Sequence, residues 1–130
     1  MEFEIKATVA AKQIAELRTA VGWNGMQNCY EKSLKNSYLY VCCFEGDVLI
    51  GFLDVISNGV TDAYIQDLMV HPAYQGKGIG TELMTRAIEK LKADRIFAIS
   101  VLFEERQMHF YEKFGFHMIM AGQMETYSLA

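Results

Sequence analysis

Proline occurs once, at Pro72, and long apolar runs do not occur at all. No stretch approaches the roughly 18 uninterrupted apolar residues of a membrane-spanning helix, so a membrane is not an expected partner. The opening residues, Met1-Glu2-Phe3-Glu4-Ile5-Lys6, lack the basic cluster and apolar run of a signal peptide, which points to the cytoplasm. A basic surplus is missing too. Lys and Arg number 12 against 16 Asp and Glu, a net charge of −4, whereas duplex-binding proteins carry an excess of positive charge. Nucleic acid is therefore not an expected partner. The three cysteines are an odd count, with Cys42 and Cys43 adjacent, which suits neither a disulfide framework nor zinc-ligand spacing. Buried free thiols in a reducing compartment are the expectation. His71, His109 and His117 stand far apart, and no metal site is expected.

What remains is a chain of 130 residues, 52% apolar and 22% charged. A domain of that length hides roughly two thirds of its unfolded surface, and the composition excludes intrinsic disorder. With no internal repeat, low-complexity tract or Gly/Ser/Pro linker, residues 1–130 read as one domain. Ala11, Ile14, Leu17 and Val21 recur at helical spacing and predict a helix over about 10–21, broken by Gly22-Trp23-Asn24-Gly25. A weaker helix is predicted over 26–35. Two β-rich runs, Tyr38 to Phe44 and Val48 to Ile56, flank Glu45-Gly46-Asp47, which is a hairpin signal. A third strand, Ala63 to Val70, should stop before Pro72.

Ile79, Leu83, Met84, Ala87, Ile88 and Leu91 then mark one face of a helix over about 79–92. A buried strand is predicted over Arg95 to Leu102, a short helix over 105–113, and two β-like runs near 116–120 and 124–129. The order ααβββαβαββ predicts an α+β fold. Its sheet is mostly antiparallel, with about six to seven strands, one splayed parallel pair and about four flanking helices.

The informative stretch is Asp67-Leu68-Met69-Val70-His71-Pro72-Ala73-Tyr74-Gln75-Gly76-Lys77-Gly78-Ile79-Gly80-Thr81. Three alternate glycines lie between a strand and a well-formed amphipathic helix. The free N–H groups at a helix start carry positive partial charge, and glycines let them converge on an anion. Lys77 adds a mobile cation, so the stretch reads as a phosphate cradle. Walker A fits poorly, because Gly78 follows Lys77 where Ser or Thr is needed. The dinucleotide fingerprint fits poorly as well, since its third glycine arrives one residue early.

Gln75-Gly76-Lys77-Gly78-Ile79-Gly80 resembles the Gln/Arg-x-x-Gly-x-Gly/Ala signature of the GCN5-related N-acetyltransferase superfamily. Downstream, Phe110-Tyr111-Glu112-Lys113-Phe114-Gly115-Phe116 resembles that family's Phe-Tyr-x-Lys-x-Gly-Phe segment. The resemblance implies acetyl transfer from acetyl-CoA to an amine, and suggests a homodimer as the assembly. It implies that Gln75, Gly76, Lys77, Gly78, Ile79, Gly80 and Thr81 hold the pyrophosphate. The pantetheine arm would follow the backbone of Leu68, Met69 and Val70, in a slot between strands ending near Val70 and Val101.

By the same resemblance Tyr111 takes the general-acid position and Asp67 the base position; Asp54 on the neighbouring strand and Glu104 near the C-terminal end of the next are rival bases. On a regular strand Gln66 would face away from Asp67. Trp23 would border the acceptor site. Glu104 and Gln107 stand where the family often carries Asn and Ala, and Glu104 offers a carboxylate to a cationic substrate instead. The acceptor that the resemblance implies is a small-molecule amine or a peptide amine. A non-catalytic CoA-binding module of the same fold is the alternative.

Overall fold

The computed structural model describes residues 1–128. Its centre is a hairpin of β2 (Leu39–Glu45) and β3 (Val48–Ser57), joined by Gly46-Asp47, with Gly46 at φ +59°. β4 (Asp62–Val70) pairs antiparallel with β3. β5 (Ala98–Val101) pairs parallel with β4, as a strand–helix–strand crossover demands. β1 (Glu2–Ile5), absent from the expected element order, pairs antiparallel with β2 at the opposite edge. The sheet order is β1-β2-β3-β4-β5.

This is a mixed α+β sheet of five strands, fewer than six to seven. The run near 116–120 forms no strand, and neither does 124–128; Leu129, at the end of the second predicted run, lies outside the described residues. Met118, Ile119, Met120 and Met124 stand exposed there. Alternation makes a strand only where a neighbouring ladder satisfies its backbone and a core buries one face, and this segment gains neither.

Helices cover both faces. α1 (Ala11–Ala20) and α2 (Gln27–Ser33, continued by a 3₁₀ turn to Asn36) lie on one side. α3 (Ile79–Ala93) and the short α4 (Met108–Glu112) lie on the other. Ile79, Leu83, Met84, Ala87 and Leu91 are the buried stripe of α3, packed against Val41, Ile50, Leu53 and Ile65. A second core joins Ile14 and Leu17 of α1 and Tyr30 of α2 to Phe52 and Met69. Each fully buried Leu or Ile contributes about 1.5–3 kcal/mol by leaving water. Among the described residues no helix is long and apolar enough to cross a membrane.

Two departures from regular geometry position the site. β5 starts late because residues 94–96 are spent closing α3. Asp94 N–H bonds Lys90 O, Ile96 N–H bonds Leu91 O at 3.0 Å, and Arg95 takes a positive φ. β4 carries a bulge: Phe52 opposes Met69 while Asp54 opposes Gln66, so two steps of β3 match three of β4. Asp67 absorbs the extra residue at φ +57°.

Candidate active site

β4 and β5 pair only from Asp62/Ala98 to Ile65/Val101. β4 then runs five residues further, to Val70, while β5 stops at Val101. Beyond Ile65, β4 has β3 on one side and no strand on the other among the described residues. His71 N–H donates to Ile50 O at 2.8 Å, so alternation turns Met69 toward β3 and Leu68 and Val70 outward. Of the three residues expected to offer main-chain groups, Leu68 and Val70 therefore face the gap. The Val70 carbonyl already accepts from Gln75 Nε2 at 3.0 Å, which makes Gln75 a brace between the turn and the strand end.

The glycine turn sits at the end of that gap. Gly76 and Gly78 have φ of +78° and +84°, and Gly78 is the N-cap of α3 without a side-chain cap. The first helical bond runs from Glu82 N–H to Gly78 O at 3.1 Å, so the amides of Ile79, Gly80 and Thr81 lack intrahelical acceptors. These are the donors an anion needs. Two cations stand nearby. Lys77 Nζ lies 5.2 Å from the Tyr74 ring, and Lys113 Nζ donates to Thr81 Oγ1 at 2.7 Å while lying over the Phe110 ring. Lys113 lies within the second motif, yet its spacing from Thr81 gives no sequence signal that the two meet.

At the other end is a cleft of about 360 Å³, lined among others by Trp23, Gln66, Asp67, Leu68, Glu104 and Tyr111. It gathers both expected catalytic residues and both expected acceptor contacts. A larger groove of about 550 Å³ beside α2 holds none of them, so chemistry rather than size identifies the site. The Tyr111 ring is buried, stacked on Phe103 at 4.6 Å and edge-on to Phe110 at 5.0 Å. Burial, aided by Tyr64, raises its phenol above the ordinary tyrosine value, so it is a proton donor at neutral pH.

The bulge turns Asp67 to the same side as Gln66, contrary to the alternation of a regular strand. Asp67 Oδ2 accepts from the Tyr30 hydroxyl at 2.5 Å, and Oδ1 lies 3.5 Å from Arg18 Nη1. Burial and then Asp67 raise the Tyr30 phenol, which keeps it a donor. Arg18 and Asp67 stand 49 residues apart, a spacing that carries no sequence signal of their contact. Its guanidinium also donates to Asn24 O and Tyr30 Oη and lies 5.1 Å from the Trp23 ring. It ties the early loop to the bulge and so fixes Trp23 at the cleft wall.

Glu104 is exposed at the mouth. Its carboxyl is held below the ordinary value by Arg106, whose Nε donates to it at 2.9 Å. Asp54 lies elsewhere: it is 2% exposed, accepts from Gln66 Nε2 at 3.1 Å, and has one carboxylate oxygen without a hydrogen-bond partner. Burial raises its carboxyl above the ordinary range, against the pull of Ser37 and Gln66. Burial also pushes the Cys42 thiol up to about 12 and raises Cys43.

Fold and site together define a mixed α+β domain. A parallel strand pair parts beside an amide-rich helix start, with an aromatic and carboxylate cleft at the gap. The chain belongs to the acetyltransferase (GNAT) family, whose model matches residues 8–116. It is 32% identical over 115 residues to an uncharacterized N-acetyltransferase, ycf52-like, of Prochlorococcus marinus, covering 85% of this chain and 64% of that protein. It is 29% identical over 111 residues to the uncharacterized N-acetyltransferase ycf52 of Pyropia yezoensis, covering 80% of this chain and 63% of the other. The chain thus spans less than two thirds of these relatives' length. A GNAT-family acetyltransferase of Streptococcus pneumoniae matches the fold with a TM-score of 0.79 at 25% identity, over 97% of both chains.

Proposed function

We propose that the domain is an acetyl-CoA-dependent N-acetyltransferase that acts on a primary amine by direct attack in a ternary complex. The parting of β4 and β5 beside the free amides of α3 carries this reading. Acetyl-CoA, the acyl-donor substrate, supplies the thioester carbonyl. Its diphosphate suits the amides of Gly76 to Thr81, with Lys77 and Lys113 as counter-charges, and its pantetheine arm suits the outward edge of Leu68 to Val70. Gln75 serves the same segment by holding the turn against Val70.

An alkylammonium has a pKa of about 10, so the amine must lose a proton before it attacks. The ammonium gives its extra proton to solvent water, and Asp67 Oδ1 takes, directly or through a water, the proton that the nitrogen sheds as it becomes an amide. As the amine nitrogen bonds to the carbonyl carbon and the carbon–sulfur bond breaks, Tyr111 gives its hydroxyl proton to the departing sulfur. The outward Val70 N–H polarises the carbonyl oxygen. Proton exchange with solvent restores Asp67 and Tyr111. Neither Cys42 nor Cys43 is a thiolate at neutral pH, so an acyl-cysteine step has no part in this scheme.

The acceptor is a small-molecule or peptide amine. A cleft of about 360 Å³ matches the size of small-ligand pockets, and Trp23 gives it an aromatic wall. The free thiols fit a reducing compartment, which in this reading is the cytoplasm. The deciding assay is thiol release from acetyl-CoA across a panel of amines, with coenzyme A binding measured by thermal shift. Acetylation lost in Tyr111→Phe with binding kept supports the scheme. Binding without turnover of any amine makes the domain a CoA-binding module, and no thermal shift refutes both.

A further inference from the structure

Asp54 is the one buried charged side chain among the described residues, and the chemistry above does not use it. It lies directly across the β3–β4 ladder from Gln66, next to the bulge. Gln66 Nε2 donates to Asp54 Oδ2 at 3.1 Å, so the Gln66 amide turns its NH₂ toward Asp54. The Gln66 carbonyl is thereby directed away from Asp54. Gln66 itself lines the cleft beside Asp67 and Tyr111.

We propose that Asp54 is a positioning residue that fixes the Gln66 amide so that its Oε1 accepts an N–H from the acceptor amine, which makes Gln66 the group that selects primary over secondary amines. This inference rests on the transferase reading. A neutral primary amine aims its lone pair at the carbonyl carbon and keeps two N–H bonds. One proton goes to Asp67 during transfer, and the other is held by Gln66 Oε1. A secondary amine has a single N–H, so it leaves either Asp67 or Gln66 unfilled. A site built to pair a substrate N–H discriminates strongly against an analogue lacking it, because its own polar group is left unpaired. The expected preference, in kcat/KM, is about ten- to a hundredfold.

The test takes the best primary amine from a panel holding an alkylamine, an arylalkylamine, an amino sugar and a peptide amine, and compares it with its own N-methyl derivative. Wild type should prefer the primary amine. Gln66→Leu should abolish the preference by losing kcat/KM for the primary amine alone, with KM for acetyl-CoA unchanged. Asp54→Asn, whose amide can donate to Oε1 and so release the Gln66 orientation, should reduce the preference in the same way. The double variant Asp54→Asn, Gln66→Leu removes the buried carboxyl along with its partner and serves if Gln66→Leu alone does not fold. A preference that survives in Asp54→Asn or in whichever Gln66 variant folds overturns the proposal while leaving the transferase reading intact. Failure of wild type to acetylate any primary amine overturns both.

Discussion

Two glycines of the turn, two residues apart, should respond to the same substitution with opposite signs. Gly78 sits at φ +84°, and a Cβ built there meets nothing within 4 Å. Alanine at 78 therefore suffers no clash, and its whole cost is the left-handed backbone, about 1–2 kcal/mol. Gly80 lies inside the first turn of α3 with ordinary helical geometry. A Cβ there meets the Phe110 ring at 3.5 Å and 3.6 Å, normal contact distances. Alanine at 80 should instead stabilise the helix by about 0.5–1 kcal/mol through lost backbone entropy in the unfolded chain. For a domain of this size each kcal/mol moves Tm by roughly 3–5 °C. Gly78→Ala should thus melt about 3–10 °C lower than wild type and Gly80→Ala about 2–5 °C higher. Relief of the strain at 78 would also re-aim the amides of Ile79 and Gly80, so KM for acetyl-CoA should rise about tenfold in Gly78→Ala and stay near wild type in Gly80→Ala. Melting followed by circular dichroism, with initial rates at varied acetyl-CoA, reads both. Equal destabilisation by the two alanines, or a wild-type melt for Gly78→Ala, would refute the reasoning.

Tyr111→Phe should keep the ring packing against Phe103 and Phe110 and lose about 10²- to 10⁴-fold in kcat, the usual worth of a general acid, with KM for acetyl-CoA within about twofold. Because burial raises this phenol, kcat should show no decline at neutral pH that the Phe variant abolishes. Asp54 should leave a signature in stability against pH. A carboxyl raised in the folded state binds its proton more tightly there than in the unfolded chain, so it favours folding at low pH, and that contribution is lost as pH rises through the raised value. Urea unfolding of wild type and Asp54→Asn at a series of pH values should show the wild-type advantage shrinking from the ordinary carboxylate range upward. An advantage that grows with pH would contradict the burial argument.

Much of the architecture follows from local pattern alone. The 3.6-residue spacing of Ile79, Leu83, Met84, Ala87 and Leu91 dictates α3 and the face it buries, and the Gly46 turn between two apolar runs dictates the β2–β3 hairpin. The glycine turn with its free amides is a local device, so its residues are legible in sequence order. Tertiary structure decided what depends on partners far along the chain. The tail from 116 has the alternation of a strand but gains no ladder, while the four-residue β1 forms because β2 offers it an edge. The bulge at Asp67 exists only in the register against β3, and it turns two neighbouring side chains to one side, which alternation forbids on a regular strand. Arg18, Tyr30 and Asp67 meet across three separate elements, and Asp54 becomes a buried carboxyl only once β3 and β4 pair and the fold closes over it. Hydrogen bonds and burial between distant residues leave no periodic trace in a sequence, because only the closed fold sets their distances.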